Sequence, residues 1–126
     1  MQVLAVGLGG MAGALLRYGL GLALAPPVGS FPVGTLTANW IGCLALGWFH
    51  SRFSGAPLSP AVRGGIATGL IGSFTTFSTF SVETHQLLQS GQMGTACLYL
   101  LASLWGGLFL LRTGVRLARG KEDRSC

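Results

Sequence analysis

Hydroxyls, two aromatic rings and one carboxylate crowd into GLIGSFTTFSTFSVET, residues 69–84, and Glu83 in it is the only acidic residue before the C-terminal tail. Read as a helix, the stretch places Phe77, Phe80 and Thr84 at i, i+3 and i+7, with Thr76, Thr79 and Glu83 as an adjacent stripe. Aromatic rings carry positive edges around negative faces, so two phenylalanines one turn apart can turn their edges to an anion. Phenylalanines at this spacing also serve simply as core or lipid-facing residues. The hydroxyl stripe beside them would find no partner in lipid, which favours the anion reading.

Further polar groups sit in apolar surroundings. Asn39 lies between Ala38 and Trp40 and shares a helix face with Thr35, giving a donor stripe; the plainer reading is a helix–helix hydrogen bond. Tyr99 and Ser103 repeat the device at i, i+4. Arg17 is costly inside a membrane, by about 2.5–3.5 kcal/mol on insertion scales. It either snorkels to headgroups or supports an anion path or a subunit seam. His50 and His85 have no clustered partners and read as interfacial. Cys43, Cys97 and Cys126 lie far apart without metal-ligand spacing and read as small apolar residues. One buried Glu and scattered His supply no nucleophile, base and metal set, so an enzyme is not expected.

The elements that must position these groups are membrane helices. Of 126 residues 9% are charged and 50% hydrophobic, against about 25% charged in a soluble domain. The net charge of +5 is not gathered on a water-facing element, so no nucleic-acid partner is expected. Spans of roughly 20 residues fit this length four times. The sequence places them at roughly 3–25, 34–50, 62–88 and 95–112, with a basic tail over 113–126, all in one transmembrane domain covering 1–126. No basic n-region precedes the first span, which is too long for a signal-peptide core and is expected to be retained. Pro26-Pro27 ends it, and Trp48 suits an interfacial belt near the end of the second. The third run exceeds one crossing and carries glycines and hydroxyls in its middle. It reads either as a helix broken mid-membrane near Gly72-Ser73-Phe74-Thr75 or as a continuous helix with a kink. Gly9 with Gly13, and Gly65 with Gly69, have the spacing of closely packed membrane helices.

The segments GGMAGALLRY, GTLTANWIG and GLIGSFTTFSTFSVE resemble, in order and spacing, the three signature segments of the Fluc/CrcB fluoride channels, over essentially the whole chain. The resemblance implies an all-α membrane protein of four-helix subunits, paired antiparallel into dimers with two fluoride pores and a central structural Na+ that is not transported. It implies passive fluoride export across the cell membrane, lowering cytoplasmic fluoride. By position, Asn39, Phe77 and Phe80 match the fluoride path, and Thr35, Tyr99, Ser103 and Glu83 the polar track beside it. The carbonyls of Gly72 and Thr75 match the sodium site, and Arg17 the family's first-helix arginine. Ser73 stands where a second glycine is usual, and Gly107 where some members carry serine.

The chemistry of the ion agrees. Fluoride is small and tightly hydrated, so a pore must replace its water with close donors, and the Asn39 amide, the Thr76 and Thr79 hydroxyls and ring edges are such donors. Two rivals are a small proton-coupled exporter centred on Glu83 and a non-transporting membrane scaffold, which would leave the hydroxyl stripes unexplained.

Four spans put both termini on the side of the second loop, where Arg52, Arg63, Arg112, Arg116, Arg119, Lys121 and Arg124 collect. The opposite loops carry no Lys or Arg, so the termini are expected in the cytoplasm. Such a bias opposes insertion of one chain both ways. The partner is then either an oppositely oriented relative or, with weaker bias than the charges suggest, a second copy.

Overall fold

The computed structural model describes residues 1–27 and 29–120. These form α1 (Gln2–Ala23), α2 (Val33–Arg52), α3 (Pro60–Gly64), a π-helical stretch (Gly65–Ile71), α4 (Gly72–Phe74), α5 (Ser78–Gln89) and α6 (Met93–Arg119), and no strand occurs among the described residues. Local chemistry sets several limits. Leu24 ends α1 just before Pro26-Pro27. Ser59 caps α3, its Oγ accepting the Val62 amide at 3.3 Å, with Pro60 in the first turn where no amide is needed. Gly29 and Gly91 take positive φ in the first and third connections.

The burial pattern is that of a protein in lipid. Large apolar side chains point outward, among them Leu15 (70% exposed), Trp105 (65%) and Phe109 (68%). Inside lie glycines, alanines, the apolar Leu36, Phe49, Ile71 and Leu87, and two groups with hydroxyls, Tyr99 and Thr84. By length and composition α1 and α6 are apolar and long enough to cross a membrane. α2 has the length but is diluted by Thr35, Thr37, Asn39 and its polar C-terminal end.

Glycine backbones let the helices meet. A Cβ on Gly9 or Gly13 would strike the Gly65 or Leu70 carbonyl, and one on Gly69 would stand 2.5 Å from the Val6 carbonyl. The two glycine pairs singled out in the sequence thus form the contact of α1 with the π-helical stretch. α2 and α6 make the most extensive contact and run in the same direction. A Cβ on Gly47 would strike the Leu111 carbonyl, and one on Gly114 the Leu44 carbonyl. Trp40 lies over Gly106 and donates its indole N–H to the Ala102 carbonyl at 3.1 Å.

Two boundaries differ from the sequence expectation. α6 does not stop at 112 but runs to Arg119, because Gly114 and Ala118 are buried and keep the helix on the bundle. Residues 113–119 of the expected basic tail are therefore helical, while Lys121, Arg124 and Cys126 lie outside the described residues. In the third run Gly72, Ser73 and Phe74 are helical; the residues outside any helix are 75–77, with Thr75 extended at φ −81°, ψ 158°.

Candidate functional site

The site is built around the non-helical residues 75–77 and the face of α2 that meets them. In a continuous helix the Thr76 amide would bond the Gly72 carbonyl; here it donates to Asn39 Oδ1 at 2.8 Å. Asn39 Nδ2 in turn donates to the Thr76 carbonyl at 3.0 Å. One amide side chain thus satisfies both backbone groups of Thr76, and its second N–H is left over. The Thr79 amide, the helical donor for the Thr75 carbonyl, goes to Thr76 Oγ1 at 3.2 Å. Arg17 Nε donates to the Ser73 carbonyl at 3.1 Å, so the arginine serves this junction rather than reaching away from it.

The carbonyls of residues 72–76 therefore lose their helical donors, and they do not fare alike. Those of Ser73 and Thr76 are taken by Arg17 and Asn39. Gly72 receives only the Thr75 hydroxyl at 3.3 Å, and Phe74 and Thr75 accept no hydrogen bond among the described residues. The packing is tight, since a Cβ on Gly42 would strike Thr75 Cγ2.

Nearer the first loop, the carboxylate is held by two hydroxyls. Thr35 Oγ1 donates to Glu83 Oε1 at 2.8 Å, and Tyr99 Oη to Oε2 at 2.7 Å. Tyr99 is fully buried and Thr84 nearly so, the latter donating to the Phe80 carbonyl. The rings form a file, Phe77 to Phe80 at 5.8 Å and Phe80 to Tyr99 at 5.1 Å between centroids. Phe77 keeps 79% of its surface exposed, and Ser103 Oγ is buried without a hydrogen-bond partner among the described residues.

Three cavities meet at these groups. A groove of about 570 Å³ is lined by Asn39, Thr75, Thr76, Phe77, Phe80 and Ser103. A cavity of about 330 Å³ holds Arg17, Thr35, Thr76, Thr79 and Glu83, and one of about 440 Å³ under the first loop also reaches Glu83. Thr76 separates the first two and Glu83 the last two.

The sequence-derived candidates thus gather in one region, with two changes of role. Thr76 is not on the α5 stripe but in the link before it, where its hydroxyl accepts the Thr79 amide and donates to Thr79 Oγ1. Asn39 spends much of its hydrogen bonding on backbone, close to the plainer reading of that residue. Trp40 and Gly42 were not singled out from the sequence. A tryptophan beside a buried Asn, needing a partner for its N–H, was the available signal for the first; Gly42 gave none. His50 and His85 are exposed and outside the cluster, and Cys43 and Cys97 are free thiols.

An apolar exterior around a carboxylate, hydroxyls and freed carbonyls defines a small helical membrane protein with a polar interior line. The pattern of the CrcB-like protein family, Camphor Resistance (CrcB), matches residues 4–115, and the chain belongs to that family. It is 48% identical over 121 residues to a Geobacillus kaustophilus protein named fluoride-specific ion channel FluC 2, covering 94% of each chain. It is 49% identical over 118 residues to the Oceanobacillus iheyensis fluoride-specific ion channel FluC, covering 93% of this chain and 91% of the relative. With the Moorella thermoacetica fluoride-specific ion channel FluC 1 the identity is 46% over 123 residues.

Proposed function

We infer that the protein is a fluoride-specific channel that passes the ion down its gradient and so lowers cytoplasmic fluoride. The observation that carries this reading is the groove in which the buried Ser103 hydroxyl, without a partner among the described residues, the spare Asn39 N–H and the Phe77 and Phe80 rings converge. Such donors suit a small, tightly hydrated anion and suit chloride worse. Thr35, Thr79, Tyr99 and Glu83 continue the line toward the first loop. Glu83, with both oxygens held by hydroxyls, acts as a fixed polar element rather than a proton carrier.

The interruption at 75–77 is taken to lie within the membrane, as a discontinuous third span, and the exposed Phe77 face to be covered by an antiparallel partner. The Gly72 and Thr75 carbonyls fit a structural Na+, since hard cations take oxygen ligands and these lack helical donors. Two carbonyls do not complete a coordination shell, so two subunits would share the ion at their seam. The Lys/Arg bias supports insertion in the cell membrane with both termini in the cytoplasm. An oppositely oriented relative is then the favoured partner and a second copy the alternative.

The test is anion selectivity in liposomes with Phe77→Ile and Phe80→Ile, which remove the ring edge at similar bulk. Fluoride flux should fall steeply in either variant while the subunits stay paired; unchanged flux in both would return the rings to a packing role and remove the basis of this reading.

A further inference from the structure

Below Asn39 the groove continues to a residue that the proposed path does not use. Cys43 stands one helical turn further along α2, is partly exposed, and lines the same cavity as Asn39, Phe77 and Ser103. Its position is fixed by the register of α2 against α6. Leu36 packs with Tyr99, Cys43 meets Gly107, and Gly47 backs onto Leu111. The stripe Thr35, Asn39, Cys43 therefore faces the stripe Tyr99, Ser103, Gly107, level by level.

At the first level the Thr35 and Tyr99 hydroxyls both donate to Glu83. At the second, Asn39 and Ser103 line the groove, and the buried Ser103 Oγ, without a hydrogen-bond partner among the described residues, marks a place for a hydrogen-bonding guest. At the third, α6 offers no side chain. A Cβ on Gly107 would stand 3.3 Å from Cys43 Sγ, so the thiol fills that level and is its side-chain donor.

We propose that Cys43 forms the third polar level of the anion path, and that its thiol is a modification site at which a small added group closes that path. This rests on the fluoride-channel reading. A thiol is a weaker donor than a hydroxyl and, as thiolate, a nucleophile. With methyl methanethiosulfonate the Sγ thiolate attacks the methylthio sulfur and forms the Sγ–S bond. The reagent's S–S bond breaks, methanesulfinate leaves with the electron pair, and the thiol proton passes to buffer. The added sulfur and methyl then project into the groove beside Ser103 and Leu104.

The experiment uses the chain with Cys97→Ser and Cys126→Ser, reconstituted with whatever partner it requires for flux. Fluoride efflux is measured before and after the reagent, and mass spectrometry follows the adduct. One methylthio adduct on Cys43 with loss of flux, reversed by dithiothreitol, is expected; with Cys43→Ser added, the reagent should leave no adduct and not alter whatever flux remains. Gly107→Ala should lower flux by crowding Sγ, and Cys43→Ser, smaller but still a donor, should recover part of it in the double variant. A Cys43 adduct with undiminished flux, or a conducting chain whose Cys43 resists the reagent, would overturn the proposal. No fluoride flux before the reagent would overturn the channel reading and this proposal with it.

Discussion

Replacing Asn39 with Ala should cost more than any other single truncation in α2, because one side chain satisfies two backbone groups that the helix no longer serves. The substitution removes the acceptor of the Thr76 amide, at 2.8 Å, and the donor to the Thr76 carbonyl, at 3.0 Å. A buried donor or acceptor left without a partner costs about 1–3 kcal/mol, so two of them set a range of about 2–6 kcal/mol. Thr76 borders two cavities through which water could reach it, which places the expectation in the lower half of that range. The loss should also have a structural direction: the Gly72 carbonyl is the i−4 helical acceptor of the freed Thr76 amide, and re-forming that bond would extend α4 across the interruption. The assay is SDS unfolding in mixed micelles, followed by tryptophan fluorescence, with Cys97→Ala on the exposed face of α6 as the control, together with hydrogen exchange at the Thr76 amide. A loss within about 0.5 kcal/mol, the range of an ordinary surface substitution, would refute the claim that Asn39 holds the interruption open.

Gly13→Ala should destabilise by about 1–3 kcal/mol through overpacking against the Leu70 carbonyl, whereas Gly7→Ala, facing open space, should be neutral or slightly stabilising; the same unfolding titration compares them, and equal effects would remove the role given to the α1 contact. Glu83→Gln should retain some passive fluoride flux, because a channel needs only a polar group between Thr35 and Tyr99; substrate-driven proton movement in the parent, abolished by this change, would favour the exporter. With Cys43 and Cys97 replaced, Cys126 in intact cells should be shielded from an impermeant thiol reagent. Labelling of about half the tails would instead show insertion both ways, as the charge rule opposes.

What the sequence disclosed was mostly what a single helix encodes. Pro26-Pro27 marks an end, Gly9 with Gly13 and Gly65 with Gly69 mark a close approach, and the hydroxyls around Phe77 and Phe80 mark the site. What it hid was set by contact between segments. The link at 75–77 depends on where backbone donors go, and that depends on Asn39, distant in sequence, capturing the Thr76 amide. Of the stretch Gly72-Ser73-Phe74-Thr75 where a break was expected, only Thr75 lies among the non-helical residues 75–77, which Asn39 joins through both backbone groups of Thr76. The length of α6 was hidden for a similar reason. Arg112, Arg116 and Arg119 read as a tail leaving the membrane, while Gly107, Gly114 and Ala118 on the same helix form the small-residue face that binds it to the bundle.

The most direct measurement of the central claim is passive efflux from liposomes loaded with fluoride or chloride, with the purified protein reconstituted alone and then with an oppositely oriented relative, and with no pH gradient. Valinomycin carries the balancing potassium, and ion-selective electrodes read the release. Rapid fluoride release with chloride retention is expected in at least one of the two reconstitutions. Equal release of chloride, or no fluoride release in either, would contradict it.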